Sequence, residues 1–384
     1  MKFNFSTASQ IVFGRGSVEG ISGYASRKGT KVCLVCGGNP ERVASLRDLL
    51  AEAGLQPHVV PISGEPDTKS IQLEAGRVRD LGCDLVVAVG GGSVMDAGKA
   101  LAALLTNTRD VYSYLEVVGD GMPLDHPPVP LIAVPTTSGT GAEVTANAVL
   151  LSPEHGVKVS LRSTDMIPDI ALVDPLLAVS MPPSVTASTG MDALTQLLEA
   201  FVSIAANPLT DSLCREGMTR AARSLARAYA DGSDVLARED MAMASLFSGM
   251  ALANAKLGAV HGFAAPLGGA FHAPHGAVCA ALLPHVMDVN LQALRERMPQ
   301  SPALQAYKET AVILTGEPGS EAEDGAGWVR ALCLELNIPR LAALGVTEDD
   351  FSDLAGKAAK ASSMKGNPIE LTTAELVEIL ERAL

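Results

Sequence analysis

An N-terminal α/β domain built on a parallel sheet, followed by an all-α C-terminal domain, is the fold class predicted by this 384-residue sequence. Two observations predict it. From Lys31 onward, short β-branched runs alternate with amphipathic stretches, and after "MPPS", Met181 to Ser184, only helical periodicity remains. Strand–helix alternation of this kind builds βαβ units and hence a parallel sheet. Pro182 and Pro183 form the natural hinge, so domains of 1–182 and 183–384 are expected.

Taken in order, the strand "KVCLVCGG" precedes a helix from Glu41 to Ala53, and "PHVVPI" precedes one from Thr68 to Leu81. "DLVVAVGGGS" leads into a helix from Met95 to Leu105, and "PLIAVPTT" is a further strand. "NAVLLSPEHGVKVSLR" reads as a hairpin around its Ser-Pro-Glu-His-Gly turn, and "DIALVD" is the last strand. Farther on, Pro266, Gly268, Gly269 and Pro274 are expected to break the apolar segment, and the acidic, glycine-rich Thr315–Gly327 is expected to be a surface loop. The six cysteines lack disulfide-framework spacing and predict buried, reduced thiols. Cys33 and Cys36, three apart in a strand, should point to opposite faces.

A chain with 47% apolar residues and this length can fill two cores of ordinary size. Its formal charge of −14 argues against a nucleic-acid or anionic-membrane surface and leaves a small molecule as the expected partner. "MKFNFSTASQIVFGRG" has no apolar core of signal-peptide length, and the apolar tract from Ala242 to Leu283 is interrupted by Asn254, Lys256, Pro266 and several glycines. A cytoplasmic protein is therefore expected, assembled as a homodimer or higher homo-oligomer.

Two loops carry the first chemistry. In "VAVGGGSVMDAGK" a buried-looking strand ends in three glycines and runs directly into a helix, so the glycines, the helix N-terminus and the Ser93 hydroxyl can bring backbone N–H groups and a donor to a phosphate. "PTTSGTGAE" also follows a strand and is crowded with hydroxyls and glycines. A dinucleotide spanning both loops, in a Rossmann-like crevice at the strand ends, accounts for the pair better than two unrelated tight turns.

The second constellation lies in the helical half. Asp192 and Gln196 stand at i and i+4 on one helix face, while His261 and His275 sit among small and apolar residues. One Asp and two His give a divalent cation hard and borderline ligands with an open position, the arrangement of a Lewis-acid site.

Through "FGRGS", "GGGSVMDAGKA", "PTTSGTGAEVT", "PDIALVDP", "MPPSVTASTGMDALTQLLEA" and "NAKLGAVHGFAAPLGGAFHAPHGAVCAALLPHV", the chain resembles the iron-containing, or group III, alcohol dehydrogenases nearly end to end. Relatives in that family include glycerol dehydrogenase and maleylacetate reductase. The resemblance implies a dinucleotide-binding domain, a helical metal-binding domain, and a cleft where nicotinamide and metal meet. It assigns Gly91, Gly92 and Ser93 to the pyrophosphate of NAD(P), Thr136, Thr137 and Thr140 to the cofactor's inner half, and Lys158 to the nicotinamide ribose. Asp192, His261 and His275 are the implied ligands of Fe²⁺ or Zn²⁺. The implied reaction is reversible hydride transfer between nicotinamide C4 and the carbonyl carbon of a small aldehyde, or the corresponding alcohol, with the metal polarising the oxygen.

Two departures from the family pattern bear on the metal. Where iron-dependent members have a histidine four residues after the Asp, this chain has Gln196, and where many have one four residues after His261, it has Ala265. Three readings stay open: Gln196 ligates; it holds only a water beside a three-ligand metal; or the chain works without metal, as in the maleylacetate reductase branch. His272 is either a solvated loop residue or a catalytic proton carrier. At "LVCGGNPER", Gly37 stands where an acidic residue would repel a 2′-phosphate, while Asn39 and Arg42 offer donors near Gly37 and Gly38. NADPH is thus expected to serve at least as well as NADH. Rival readings are a lyase of the dehydroquinate synthase kind, which should have basic residues that Val260 to Gly276 lacks, and a non-catalytic cofactor-binding homologue.

Overall fold

The computed structural model describes residues 2–271 and 273–384, in two compact units. One comprises Ser6–Thr137 and Gly141–Ala178; the other comprises the residues up to Phe5, Ser138–Thr140 and Val179–Leu384.

The first unit holds β1 (Gln10–Phe13), α1 (Ile21–Ala25), β2 (Lys31–Gly37), α2 (Ala44–Glu52), β3 (Gln56–Ile62), α3 (Thr68–Asp80), β4 (Leu85–Gly90), α4 (Gly92–Thr106), β5 (Leu131–Pro135) and β8 (Ile170–Val173). The β strands make a six-stranded sheet in the order β1-β8-β5-β4-β2-β3, with every pairing parallel. Both faces are covered, which is why β4 is a continuous buried run rather than an alternating one. Cys33, Val35, Val86 and Ala88 face a core with Ile71, Ala75 and Val78 of α3, whereas Leu34, Cys36 and Val87 pack with Leu46 and Leu50 of α2. Cys33 and Cys36 therefore do lie on opposite faces. β6 (Asn147–Ser152) and β7 (Val157–Arg162) form the expected antiparallel hairpin. Strand order reverses between β2 and β4, so the crevice rule for α/β sheets singles out their carboxyl ends, Gly37–Gly38 and Gly90–Gly92.

The second unit is helical: α5 (Pro183–Val202), α6 (Pro208–Ala230), α7 (Val235–Ala255), α8 (Ala259–Phe271), α9 (His275–Arg297), α10 (Pro302–Thr315), α11 (Ala322–Glu335), α12 (Phe351–Lys360) and α13 (Thr373–Ala383). From Gly190 to Val202 every residue of α5 is buried, marking it as the central helix of this unit. α9 is long and apolar enough to cross a bilayer by length and composition, but most of its apolar window is packed inside the unit.

Two expectations are corrected here. The break expected at Pro266, Gly268 and Gly269 does not occur, because α8 runs through them to Phe271. An interior proline costs a helix about 3 kcal/mol, and the burial of Val260, Phe263 and Leu267, at about 1.5–3 kcal/mol each, outweighs it. The loop expected over Thr315–Gly327 ends at Glu321, where α11 begins: the Glu321 side chain accepts from the Asp324 backbone and Asp324 reciprocates, so acidic residues that read as loop form a helix N-terminus.

Candidate functional site

In the sheet unit, Gly91 precedes α4 and no side chain caps that helix, so the first N–H groups at Gly92 and Ser93 face outward at its positive end. Thr136 N–H donates to the Gly90 carbonyl at 2.9 Å, and Thr137 lies so close to Gly91 that a Cβ there would stand 3.2 Å from the Thr137 methyl. The two glycine- and hydroxyl-rich loops are thus adjacent at Gly91 and Thr137. Gly37 ends β2 with open space where a Cβ would be, a Cβ on Gly38 would strike Ser63, and the Asn39 side-chain oxygen accepts from the Glu41 N–H. Lys158, on β7, is paired with Glu65 at 2.6 Å. Thr140 groups with the helical unit, and His272 lies outside the described residues.

Beneath the first loop lies a buried pair that sequence reasoning did not single out. Lys99 donates to Thr145 Oγ1 at 2.7 Å and to the Asn147 carbonyl at 2.9 Å, tying α4 to the hairpin. Burial lowers its ammonium to about 8 against the opposing pull of Asp96 and Glu143, and burial raises the Glu143 carboxyl to about 7.

In the helical unit, α5 carries Asp192, Gln196 and Glu199 on one face, all buried, at the four- and three-residue spacing that stacks side chains. His261 sits in the first turn of α8 and His275 is the first residue of α9. Gly276 lets α9 begin hard against α5, since a Cβ there would overlap the Ser188 carbonyl and approach the Asp192 Cβ to 3.3 Å. Asp192 Oδ1 consequently stands 3.4 Å from His261 Nε2 and 3.6 Å from His275 Nε2. Cys279, one turn along α9, adds Sγ at 3.7 Å from His275 Nε2 and 3.9 Å from His261 Nε2.

This donor set fits a cation. Ligands bound tetrahedrally at about 2.0–2.3 Å stand roughly 3.3–3.7 Å apart, close to the separations found. Asp192 Oδ1 is buried with no hydrogen-bond partner, an arrangement that is costly unless a positive charge satisfies it. The cluster also carries a negative local field that favours positive charge, whether a proton or a cation. Burial pushes the Asp192 carboxyl up, but His275, His261 and a hydrogen bond from Gln196 hold it below the ordinary range. Burial likewise opposes charge on His261, yet Cys279, Glu199 and Asp192 raise its imidazole well above the usual value. His275 is raised first by Cys279, against burial and with help from Asp192; its side chain is 44% exposed, so it forms the open side of the cluster. The Cys279 thiol, raised by burial, is lowered more by the two imidazoles.

Around the cluster, Glu199 Oε2 faces His261 Nδ1 at 2.6 Å while its Oε1 accepts from the Val260 N–H at 2.7 Å. A carboxylate behind the non-ligating nitrogen is the usual way a metal-binding imidazole is fixed. Gln196 Oε1 accepts from Ser248 at 2.8 Å. Glu199 and Cys279 are the residues that sequence reasoning missed. Their signal was spacing: Glu199 falls seven residues after Asp192, and Cys279 four after His275.

Comparison with known proteins gives concordant matches to both halves. The model of iron-containing alcohol dehydrogenase matches residues 8–175, and that of the Fe-containing alcohol dehydrogenase family, C-terminal, matches residues 186–384. A 1,3-propanediol dehydrogenase from Klebsiella pneumoniae is 38% identical over 338 residues, covering 87% of this chain and 85% of its own length. The crystal structure of a 1,3-propanediol oxidoreductase superposes with a TM-score of 0.92 at 33% identity over the full length of both chains. A sulfoacetaldehyde reductase from Bifidobacterium kashiwanohense, solved in complex with NAD⁺, gives a TM-score of 0.89 at 28% identity, covering 100% of this chain and 99% of its own.

Proposed function

Because the chain belongs to the iron-containing alcohol dehydrogenase family and is an alcohol oxidoreductase, we propose that it transfers a hydride reversibly between NAD(P)(H) and a small alcohol or aldehyde. The observation that carries this reading is the convergence of Asp192, His261 and His275, with a buried Asp192 oxygen left without a hydrogen-bond partner. These three residues would hold Fe²⁺ or Zn²⁺. When bound, the cation supplies Lewis-acid polarisation of the substrate oxygen and the nicotinamide supplies the hydride.

The chain's own residues then have separable tasks. Glu199 holds the His261 ring so that Nε2 points into the cluster. Gln196, hydrogen-bonded to both Ser248 and Asp192, steadies the carboxylate. Gly91, Gly92 and Ser93 would hold the pyrophosphate, and Thr136, Thr137, Thr140 and Lys158 would contact the rest of the cofactor, Lys158 at its ribose. The open space at Gly37, with Asn39 and Arg42 nearby, supports acceptance of NADPH at least as readily as NADH.

The test is nicotinamide oxidation and reduction with a panel of short alcohols and aldehydes, on chelator-stripped protein resupplied with Fe²⁺ or Zn²⁺. Turnover restored by metal is expected. Turnover indifferent to chelator would identify a metal-free reductase instead, and no turnover under any condition would leave a cofactor-binding homologue.

A further inference from the structure

Resting on that metal reading, we propose that Cys279 is itself a metal ligand. Its thiolate completes an Asp192, His261, His275 and Cys279 set in a chain where the imidazole that iron-dependent relatives carry four residues after the Asp is replaced by Gln196, and it biases the centre toward Zn²⁺ over Fe²⁺.

Geometry carries the assignment. His275 and Cys279 are four residues apart at the start of α9, the spacing at which two side chains on one helix face can chelate a single ion. Sγ meets His275 Nε2 and His261 Nε2 at 3.7 and 3.9 Å, and the four donor atoms lie within 4.8 Å of one another. The other cysteines show what an ordinary buried thiol does here: Cys33, Cys36 and Cys83 fill the sheet cores, Cys214 fills the helical core, and Cys333 donates to the Ala280 carbonyl. Cys279 also lines the helical core, but it differs in facing two imidazoles as well. The neighbouring amide oxygen, Gln196 Oε1, accepts from Ser248 and is a neutral, weaker donor than a thiolate.

Ligand chemistry supplies the metal preference. A carboxylate with imidazoles accepts Fe²⁺ or Zn²⁺, whereas thiolate sulfur is a soft donor that favours Zn²⁺, already the tighter binder in the Irving–Williams order. Coordination releases the thiol proton to solvent, so the bound ligand is the thiolate.

The experiment loads chelator-stripped full-length protein with Co²⁺ as a spectroscopic stand-in for Zn²⁺. The expected result is a sulfur-to-cobalt charge-transfer band in the near ultraviolet, together with the visible d–d bands of a low-coordinate Co²⁺. In C279S and C279A the d–d bands should persist while the charge-transfer band vanishes. Zn²⁺ affinity, read by chelator competition, should fall about tenfold or more, and Fe²⁺ affinity should fall less. Wild-type protein with d–d bands but no charge-transfer band would overturn the ligand assignment and leave the metal site standing. Failure of the wild type to bind Co²⁺ or Zn²⁺ at all would overturn both. Because the wild-type spectrum alone decides, the result holds even if a variant does not fold.

Discussion

Asp192, Gln196 and Glu199 share one face of α5, yet each meets a different partner: the cluster of donors, the Ser248 hydroxyl, and the rear of His261. Replacing Glu199 by Gln keeps the shape and an acceptor for the Val260 N–H but removes the anion behind His261 Nδ1. Metal affinity should drop about 10–100-fold with an unchanged circular dichroism spectrum, the range found for such supporting partners. Chelator competition that returns the wild-type affinity would show that the carboxylate is only structural. The Lys99–Glu143 pair gives a second test, through pH. The carboxyl is raised in the folded state to about 7, so its stabilising contribution is full below the unfolded value near 4.5 and is lost as pH rises through about 7. Glu143→Gln should therefore gain stability relative to wild type between pH 5 and 7.5, by up to about 3 kcal/mol at 1.4 kcal/mol per pH unit. Urea melts of both proteins at the two pH values read this difference, and a constant offset would contradict the buried, protonated carboxyl. Above pH 8 Lys99, lowered to about 8, contributes with the opposite slope, so the comparison belongs below that value.

At the scale of elements, helix starts and strand ends decide where chemistry can occur. The junction of β4 and α4 leaves N–H groups without a capping side chain, and the starts of α8 and α9 place two imidazoles at one point. The end of β2 offers the most direct element-level test. Because a Cβ on Gly37 would meet nothing within 4 Å, Gly37→Asp can be introduced there without a clash at the branch point, whereas a Cβ at Gly38 would strike Ser63. Gly37→Asp should lower kcat/KM for NADPH at least tenfold while leaving NADH within a few-fold, because the new charge repels a 2′-phosphate and accepts from a 2′-hydroxyl. Parallel steady-state kinetics with the two cofactors check this, and an equal loss with both would remove Gly37 from the cofactor site. The helix through Pro266 and the helix start among acidic residues near Glu321 are not legible in the sequence, because burial of Phe263 and Leu267, or a reciprocal cap, outweighs a local preference.

For the molecule as a whole, the two units predict separable responses to ligands. A metal at 100 times its dissociation constant stabilises the unit that binds it by about 2.7 kcal/mol. The Asp192, His261, His275 and Cys279 donors all belong to the helical unit, so hydrogen-exchange protection on adding Zn²⁺ should rise in α5, α8 and the first turns of α9 and stay unchanged in β1–β8. NADPH should raise protection chiefly at the ends of β2 and β4 and the start of α4. Zinc-dependent protection spread evenly over both units, or none, would count against a single centre in the helical unit.

Sequence periodicity determined the parallel sheet, the hairpin and the turn to helices after Met181, while the local company of His261 and His275, the placing of Asp192 on one helix face and the family resemblance marked the three as candidates. What only the tertiary structure decided was convergence. Glu199 became the partner of His261 across 62 positions, Asp192 met two histidines on other helices, and Cys279 passed from one of six thiols to a member of the donor cluster. The physical reason is that these contacts are set by the packing of α5 against α8 and α9, down to the absence of a Cβ at Gly276, and long-range packing leaves no periodic trace in a single chain.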